Sequence, residues 1–410
     1  MAKLIFGAKK QHERSITTIA LMIALVLVAL YFGARGALWV GTHFTGRAEV
    51  NALADFERAQ ALVAQGDFKT AKDLLKNAAL HVKDPVQAPR IALLQAEVAQ
   101  KTGDSAELLA LLDRATKDFS ASPEYPALAA RYARALEDGG RVDDAVAVYT
   151  RLRDTAPPEL RAPALAGLGR QALKVRDLAT ARQLFRQGVN DAKWGSEAWD
   201  ENLDALGKLN VEMIFAPEAT PESKVYTVEK GDNLTNIGIK LNTTQGLLLR
   251  ANNLSEDTQL SLGQRLKYTP KDFRIVIERS TCRLFLFDKD GLFKRYHVGL
   301  GMPSHETALG KYTIGNKQKD PTWFKPGGAP VPAGDPANEL GTRWMPLGPA
   351  EAGLPTDLGI HGTIAPETIG QYKSHGCPRM RKEDVEELYD LVVRSTPVEI
   401  VEAMPPPTPA

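Results

Sequence analysis

A turn motif recurs four times in the first half of the chain at an almost constant spacing. Its copies begin at Gly66, Gly103, Gly140 and Arg176, so successive starts are 37, 37 and 36 residues apart. Between about residues 48 and 205 the sequence is rich in Ala, Leu, Arg and Glu, with apolar residues at helical spacing. This period predicts helical hairpins that stack on one another, because a single hairpin cannot bury its apolar face.

The predicted helical region, residues 48–215, resembles tetratricopeptide-type repeats, although the aromatic positions of that consensus are only partly kept. The resemblance implies an α-helical solenoid. Such a solenoid could hold a partner protein, or it could act as a spacer or scaffold. The spacer interpretation is slightly favoured, since nothing in the sequence marks a concave face for one ligand.

The N-terminus combines a basic segment with an uncharged one. Residues 1–14 carry four Lys or Arg residues, and residues 15–34 carry no charge. Twenty helical residues span about 30 Å, the thickness of a hydrocarbon core. We therefore expect a single transmembrane anchor at 15–34, with 1–14 as a cytoplasmic tail and the rest of the chain outside the cytoplasm. A cleaved signal peptide is the alternative.

The composition is that of a globular protein of two or three domains. The chain has 410 residues, of which 43% are hydrophobic and 25% charged. Its formal net charge of +1 argues against nucleic acid as a partner.

A proline-bearing polar stretch, residues 216–223, reads as a linker to a small domain at 224–270. The small domain shows the pattern of a short strand, two short helices and a second short strand, and it resembles a LysM module. That resemblance implies a βααβ fold that binds glycans containing N-acetylglucosamine, with the sugar against two loops, one formed by Gly231, Asp232, Asn233 and Leu234 and the other running from Leu254 to Leu260. A structural adaptor without sugar affinity stays open.

Chemistry concentrates between His361 and Arg379. This stretch holds one of the two cysteines and two of the seven histidines. A cysteine needs a nearby base to become a thiolate, and the base needs an orienting partner. Cys377 with His361 or His375 is therefore a candidate pair of nucleophile and base. The intervening Gly and Pro residues predict a loop that folds His361 back towards Cys377.

Three other interpretations of the cysteine stay open at this point. Cys377 could be a buried apolar residue. It could ligate zinc with His361 and His375, although a fourth ligand and the usual paired spacing are missing. It could also form a disulfide with Cys282, because the domain is expected outside the cytoplasm.

The segments His361-Gly-Thr and Ser374-His-Gly-Cys-Pro-Arg-Met resemble, in order and spacing, the signature of the YkuD-type L,D-transpeptidases. The resemblance extends over residues 272–402. It implies that Cys377 is the acyl-accepting nucleophile and His361 the general base and acid.

The same resemblance assigns supporting roles to neighbouring residues. The carbonyl of Gly362 would orient His361, Ser374 and His375 would shape the pocket, and Arg379 would fix the loop. Amides near Gly376 and Cys377 would bind the oxyanion. Pro378 has no N–H and cannot join that oxyanion hole.

The remaining sequence of the 272–402 domain indicates a mainly-β fold built from hairpins. Cys282 opens one strand and is expected to be a packed, inert thiol. The segment 320–355 is dense in Gly and Pro and is expected to be a long irregular insertion that acts as a lid. Arg343 and Trp344 within it are candidates for contacting a peptide stem. Residues 403–410 form a Pro-rich tail that is expected to be disordered.

Together these patterns predict a multidomain α+β protein of the bacterial cytoplasmic membrane whose C-terminal domains lie in the periplasm or cell wall. The family resemblance implies a peptidoglycan substrate, a thioester with a tetrapeptide stem, release of D-alanine and transfer to an amine. Transfer to water and a non-catalytic wall-binding scaffold are the alternatives. No metal or organic cofactor is implied.

Overall fold

The computed structural model describes residues 48–325 and 327–404. The chain divides into two compact units, one ending at Val148 and the other beginning at Tyr149. The predicted cytoplasmic tail and membrane anchor, 1–34, lie outside the described residues, as do residues 405–410 of the predicted tail. Within the described residues, every helix is too short or too polar to cross a membrane.

Nine successive helices form the N-terminal part of the described chain, which confirms the expected helical region. They are α1 (48–65), α2 (Phe68–His81), α3 (Gln87–Thr102), α4 (Ser105–Asp118), α5 (Tyr125–Asp138), α6 (Val142–Thr155), α7 (Pro158–Lys174), α8 (Leu178–Asp191) and α9 (Glu197–Phe215). Their identity as tetratricopeptide-type repeats remains a prediction.

The recurring turn motif has one backbone conformation in all four copies. Gly66, Gly103 and Gly140 have φ angles of 82°, 76° and 79°, and Arg176 takes the same place in the fourth copy with φ 60°. This left-handed region favours glycine because it has no Cβ. The period in the sequence therefore marks the left-handed turns at which one helix ends and the next begins.

Aspartate follows the left-handed residue in three copies and begins the next helix. The Asp67 side chain accepts a hydrogen bond from the Thr70 amide, and Asp104 and Asp177 cap α4 and α8 in the same way. Such caps satisfy amides that have no intrahelical partner and stabilise a helix by about 1 kcal/mol.

The small domain has the expected βααβ order. It consists of β1 (Lys224–Thr227), α10 (Leu234–Lys240), α11 (Gln245–Arg250) and β2 (Arg265–Tyr268), with β1 and β2 paired antiparallel. Its core is formed by Val228, Leu234, Ile237, Leu248, Leu249 and Leu266.

The C-terminal domain is mainly β, as the strand patterns predict. Its strands are β3 (Arg274–Glu278), β4 (Arg283–Asp288), β5 (Gly291–His297), β6 (Leu300–Gly301), β7 (Gly310–Ile314), β8 (Gln318–Lys319), β9 (Arg343–Pro349), β10 (Gly359–His361), β11 (Tyr372–Ser374) and β12 (Pro397–Val401). The main sheet has the order β10-β9-β7-β12-β3-β4-β5, with β8 against β9, and α12 (Lys382–Leu391) packs on it.

Both faces of this sheet are covered around β3 and β4. Ile275, Ile277, Leu284 and Leu286 face the inner core, which includes α12. The alternate residues Val276, Phe285, Phe287 and Leu292 pack against α8 and α9, with Phe185, Trp199 and Leu203 among their partners. The near-continuous apolar runs of these strands follow from this double burial.

One expectation for this domain needs correction. The segment 320–355 was expected to be an irregular insertion, but β9 runs through its second half and pairs with β7, β8 and β10. Strand β9 reads Arg-Trp-Met-Pro-Leu-Gly-Pro, and its two prolines and glycine hide a strand from pattern analysis.

Candidate active site

His361 ends the short edge strand β10. It lies opposite Trp344 of β9, and the ring centroids of the two side chains are 5.7 Å apart. The His361 side chain is buried, with 4% of the residue exposed. A buried imidazole packed on an indole is held in one place, as a catalytic base requires.

The segment after Cys377 pairs with the strand that carries His361. The His361 amide donates to the Pro378 carbonyl at 3.1 Å, and the Met380 amide donates to the His361 carbonyl at 2.8 Å. Arg379 in turn exchanges two 2.8 Å backbone hydrogen bonds with Gly299. The intervening loop therefore folds back as the sequence predicts. Cys377 directly precedes Pro378, whose carbonyl accepts the hydrogen bond from the His361 amide.

Burial and then the charge of Arg379 lower the pKa of His361 to about 4. The carbonyls of Gly362, Glu339 and Leu340 act in the opposite direction. No described residue makes a well-formed hydrogen bond to His361 Nδ1, so the predicted Gly362 contact is near but incomplete here. The imidazole is neutral at pH 7 and can accept a proton.

Burial also raises the pKa of the Cys377 thiol above its usual value near 9, and the backbone of Gly359 and the charge of Arg379 only partly oppose this. The thiol is half-buried and lies 3.9 Å from the Asp357 carbonyl oxygen. At rest the thiol of Cys377 and the imidazole of His361 are therefore both neutral. The proton must leave sulfur as the nucleophile attacks.

The other two chemical interpretations of the cysteines were a disulfide and a zinc site, and neither arrangement is seen among the described residues. Both Cys282 and Cys377 are free thiols. Cys282 is buried, as expected, and burial raises the pKa of its thiol. Within residues 48–325 and 327–404, no three His, Cys, Asp or Glu side chains are grouped as a metal site would need.

Thr307, a residue that the sequence analysis missed, fixes the peptide bond before Cys377. Its side chain is fully buried, and its hydroxyl donates to the Gly376 carbonyl at 2.7 Å and accepts from the Gly301 amide at 3.0 Å. The carbonyl and N–H of one peptide point in opposite directions. Thr307 therefore sets the direction of the Cys377 amide, which donates to no described residue.

Two residues shortly before Cys377 differ in exposure: Ser374 is buried under the loop, and His375 lies on the exposed rim of the site. Ser374 is buried, and its Oγ accepts from the Gly376 amide at 3.2 Å. This narrows the predicted oxyanion donors to the Cys377 amide, because the Gly376 amide already has a partner. His375 is exposed and lies edge-on to His305, with ring centroids 5.5 Å apart. His305 thus joins this exposed rim.

Three arginine and tryptophan predictions have different outcomes. Arg379 bonds Glu339 at 3.1 Å and so ties the Cys377 segment to the lid region. Trp344 covers Gly359 and contacts His361. The side chain of Arg343 points to the opposite face of β9, where it meets Tyr389 of α12. Arg343 therefore does not reach the Cys377 pocket, because adjacent strand residues face opposite sides.

The four residues predicted to bind glycan have local structural roles. Asp232 accepts from the Tyr226 hydroxyl and the Glu229 amide at 2.7 and 2.8 Å. Asn233 forms a capping box at the start of α10, and Leu234 is buried. Gly231, with φ 89°, makes the turn. These contacts shape the loop, and sugar binding by its residues remains a prediction.

Comparison with known proteins identifies both C-terminal domains. Residues 272–400 match the family model of the L,D-transpeptidase catalytic domain, YkuD, and residues 226–269 match that of the LysM domain. YkuD of Bacillus licheniformis is 31% identical over 182 residues, which cover 43% of this chain and 98% of that protein.

Two further relatives extend the comparison. YkuD of Bacillus subtilis strain 168 is 31% identical over 183 residues, covering 43% of this chain and 97% of that protein. YbiS of Escherichia coli K12 is 30% identical over 142 residues, covering 31% of this chain and 44% of that protein. The names of all three assign them to the L,D-transpeptidases.

Proposed function

Since this chain belongs to the L,D-transpeptidase family, we propose that it transfers peptidoglycan stem peptides through a thioester on Cys377. The observation that carries the proposal is the backbone pairing of His361, a buried neutral base, with the segment that directly follows the half-buried Cys377. LysM and L,D-transpeptidase domains together imply binding to peptidoglycan.

In the first half-reaction, Cys377 Sγ attacks the carbonyl of the bond between diaminopimelate and D-alanine in a tetrapeptide stem. The thiol proton passes to His361, which is neutral because its pKa is lowered to about 4. His361 then protonates the amine of D-alanine as the C–N bond breaks. The product is a thioester on sulfur and free D-alanine.

In the second half-reaction, neutral His361 takes a proton from an incoming amine, which attacks the thioester carbonyl. The C–S bond then breaks, an amide forms, and His361 returns the proton to Cys377 Sγ. The amine comes from a second stem or from a surface protein. Water in its place would give carboxypeptidase trimming.

The negative charge of each tetrahedral intermediate falls on the former carbonyl oxygen. The Cys377 amide, oriented by Thr307, is the donor proposed to bind it. Trp344, Ser374 and His375 shape the walls of the pocket, and Arg379 holds the loop through Glu339.

The other domains are proposed to deliver this site to its substrate. The LysM module would hold a glycan strand and so raise the local concentration of stems. An anchor at 15–34 would place the enzyme on the outer side of the cytoplasmic membrane. The helical repeats would act as a spacer or hold a partner protein.

The proposal is tested by incubating the full chain with disaccharide-tetrapeptide muropeptides and identifying the products by mass spectrometry. We expect loss of D-alanine and formation of dimers, both abolished in Cys377→Ala. Monomeric tripeptides alone would make water or a protein the acceptor. Glycan binding without turnover in the wild-type chain would contradict the proposal and favour a scaffold.

Thr307→Val should slow acylation of Cys377 by about 10- to 100-fold. Valine has nearly the shape of threonine but cannot hold the Gly376 carbonyl, and small displacements at a reacting centre have effects of this size. Stopped-flow acylation by a carbapenem measures the rate. Thr307→Ser keeps the hydroxyl and should stay close to wild type. Equal rates in Thr307→Val and wild type would remove Thr307 from the catalytic geometry.

A further inference from the structure

A second cleft, separate from the Cys377 pocket, lies between the LysM module and the catalytic domain. Its volume is about 1010 Å³. One wall is formed by α11 and the segments that flank it, 238–246 and 249–256. The other wall is formed by β8, the start of β9 and the C-terminal end of α12. A cleft of this size accommodates a sugar-peptide fragment.

The two walls of the cleft are fixed to each other. Leu247 and Ala251 of the LysM wall belong to the same buried core as the catalytic sheet. The Thr244 hydroxyl donates to the Asp390 carbonyl, and Arg250 pairs with the Asp390 carboxylate at 3.3 Å. The two walls therefore form one packed structure, and the cleft is present without any movement of one wall relative to the other.

The charges that line the cleft are mostly positive. Its lining contains five cationic side chains against two carboxylates: Arg250, Lys317, Lys319, Arg343 and Arg394 against Glu256 and Asp390. Two cations are paired across the cleft, Arg250 with Asp390 and Lys319 with Glu256. The cleft thus keeps a positive excess.

Of the other three cations, Lys317 and Arg394 have no carboxylate partner among the described residues, whereas Arg343 lies within 4 Å of two, Asp320 and Glu386. Lys317 donates to two neutral acceptors, the carbonyls of Tyr389 and Val392, at 2.5 and 2.6 Å. Arg394 is exposed and forms no ion pair with a described residue. Arg343 lies no nearer than 3.7 Å to a carboxylate oxygen, on Glu386.

Two buried donors at the cleft have no partner among the described residues. They are Arg343 Nε and the Thr243 hydroxyl, and both residues line the cavity. A buried polar group without a partner costs about 1–3 kcal/mol, so such groups in a polar cavity point to a missing ligand or water. Here the unpaired donors lie in the same cleft as Lys317 and Arg394, whose charges have no carboxylate partner, and this combination favours an anion.

We propose that this cleft binds a carboxylate of a peptidoglycan stem peptide, on a stem other than the one that reacts at Cys377. The assignment rests on the proposed function for its choice of ligand. The cleft is next to the glycan-binding module, and stem peptides carry free carboxylates. Arginine binds carboxylates through directed, charge-assisted hydrogen bonds.

The position of the cleft gives this site a role in the reaction. Arg343 faces the cleft, while the next residue, Trp344, contacts His361 on the other face of β9. One strand therefore supports both sites. A stem held by Arg343 would fix the register of a glycan strand relative to the catalytic pocket.

The test measures binding by calorimetry to the full chain carrying Cys377→Ala, which prevents turnover. The probes are a disaccharide-tetrapeptide, the same compound with its carboxylates amidated, and the neutral tetramer of N-acetylglucosamine. The double variant Arg343→Gln/Arg394→Gln is compared with Lys289→Gln, which removes an exposed charge from the β4–β5 turn. Thermal unfolding verifies that each variant is folded.

We expect the double variant to bind the acidic muropeptide at least tenfold more weakly than Lys289→Gln does. Its preference for the acid over the amide should disappear, while binding of the neutral tetramer stays within twofold. Unchanged binding of the acid, or equal loss of acid and neutral sugar, would overturn the assignment.

A separate measurement distinguishes failure of the cleft from failure of the enzyme. The wild-type chain is treated with a carbapenem, and the adduct on Cys377 is followed by mass spectrometry. A chain that is acylated but does not distinguish acid from amide contradicts only the cleft assignment. A chain that distinguishes them but is never acylated contradicts the proposed function and leaves the anion site standing.

Discussion

A carbapenem should add to this protein once per chain, at Cys377, and Cys377→Ala should carry no adduct. Cys377 is half-buried and directly precedes the segment that pairs with His361, whereas Cys282 is 2% exposed. Without the sulfur of Cys377 no thioester can form, so the variant has no residue for the carbapenem to acylate. Intact-mass spectrometry and peptide mapping give the number and place of adducts.

The matched control for this experiment is Cys282→Ser. It removes the other thiol and should leave the adduct and its rate of formation unchanged. An adduct on Cys282, or two adducts per chain, would show that thiol exposure in solution differs from the arrangement described.

His361→Gln should lower the rate of acylation by about 10³-fold, within the range of general-base contributions. In the wild-type protein, the base is active only when neutral, and its pKa is lowered to about 4. The acid limb of the rate profile should therefore lie near pH 4, well below the usual histidine range. The rate should then stay level, and a further rise from thiolate formation should begin only past pH 9, because the pKa of the Cys377 thiol is raised.

This profile is measured as the second-order acylation rate between pH 3.5 and 10, with circular dichroism at each pH to verify folding. His361→Gln should lose the acid limb near pH 4 along with the rate. A wild-type limb near pH 6.5 would mean that the imidazole is solvated, and would contradict the buried base.

The same lowered pKa makes the fold sensitive to acid. The unfolded chain binds a proton on His361 below about pH 6.5, but the folded chain binds it only below about 4. The contribution of His361 to the free energy of unfolding is therefore fully present above pH 6.5 and is lost as the pH falls towards 4. The loss amounts to about 3 kcal/mol.

The sequence predicted the parts of the site whose residues are close along the chain. The short segment from His361 to Cys377 supplies nucleophile, base and fold-back loop, so their residue types and spacing were sufficient. The left-handed turns at Gly66, Gly103 and Gly140 were visible for the same reason, because a local backbone requirement leaves a periodic mark.

Features that depend on distant packing were not visible. Thr307 reaches Gly376 across 69 residues of sequence, and a lone threonine before a strand has no distinguishing pattern. Arg343 and Trp344 were both assigned to the peptide stem, but the strand that carries them was missed. Once β9 is known, alternation sends the two side chains to opposite faces.

Because both faces of the catalytic sheet are buried, the catalytic domain depends on helices that lie outside the segment matched by its family model. The match to the catalytic family model begins at residue 272, yet Val276, Phe285, Phe287 and Leu292 are covered by helices that precede residue 216. A fragment starting at 272 would expose these side chains, each at a cost of about 1.5–3 kcal/mol. A recombinant fragment cut at this boundary would therefore have an exposed apolar sheet face. A fragment that is to stay soluble and folded should include α8 and α9.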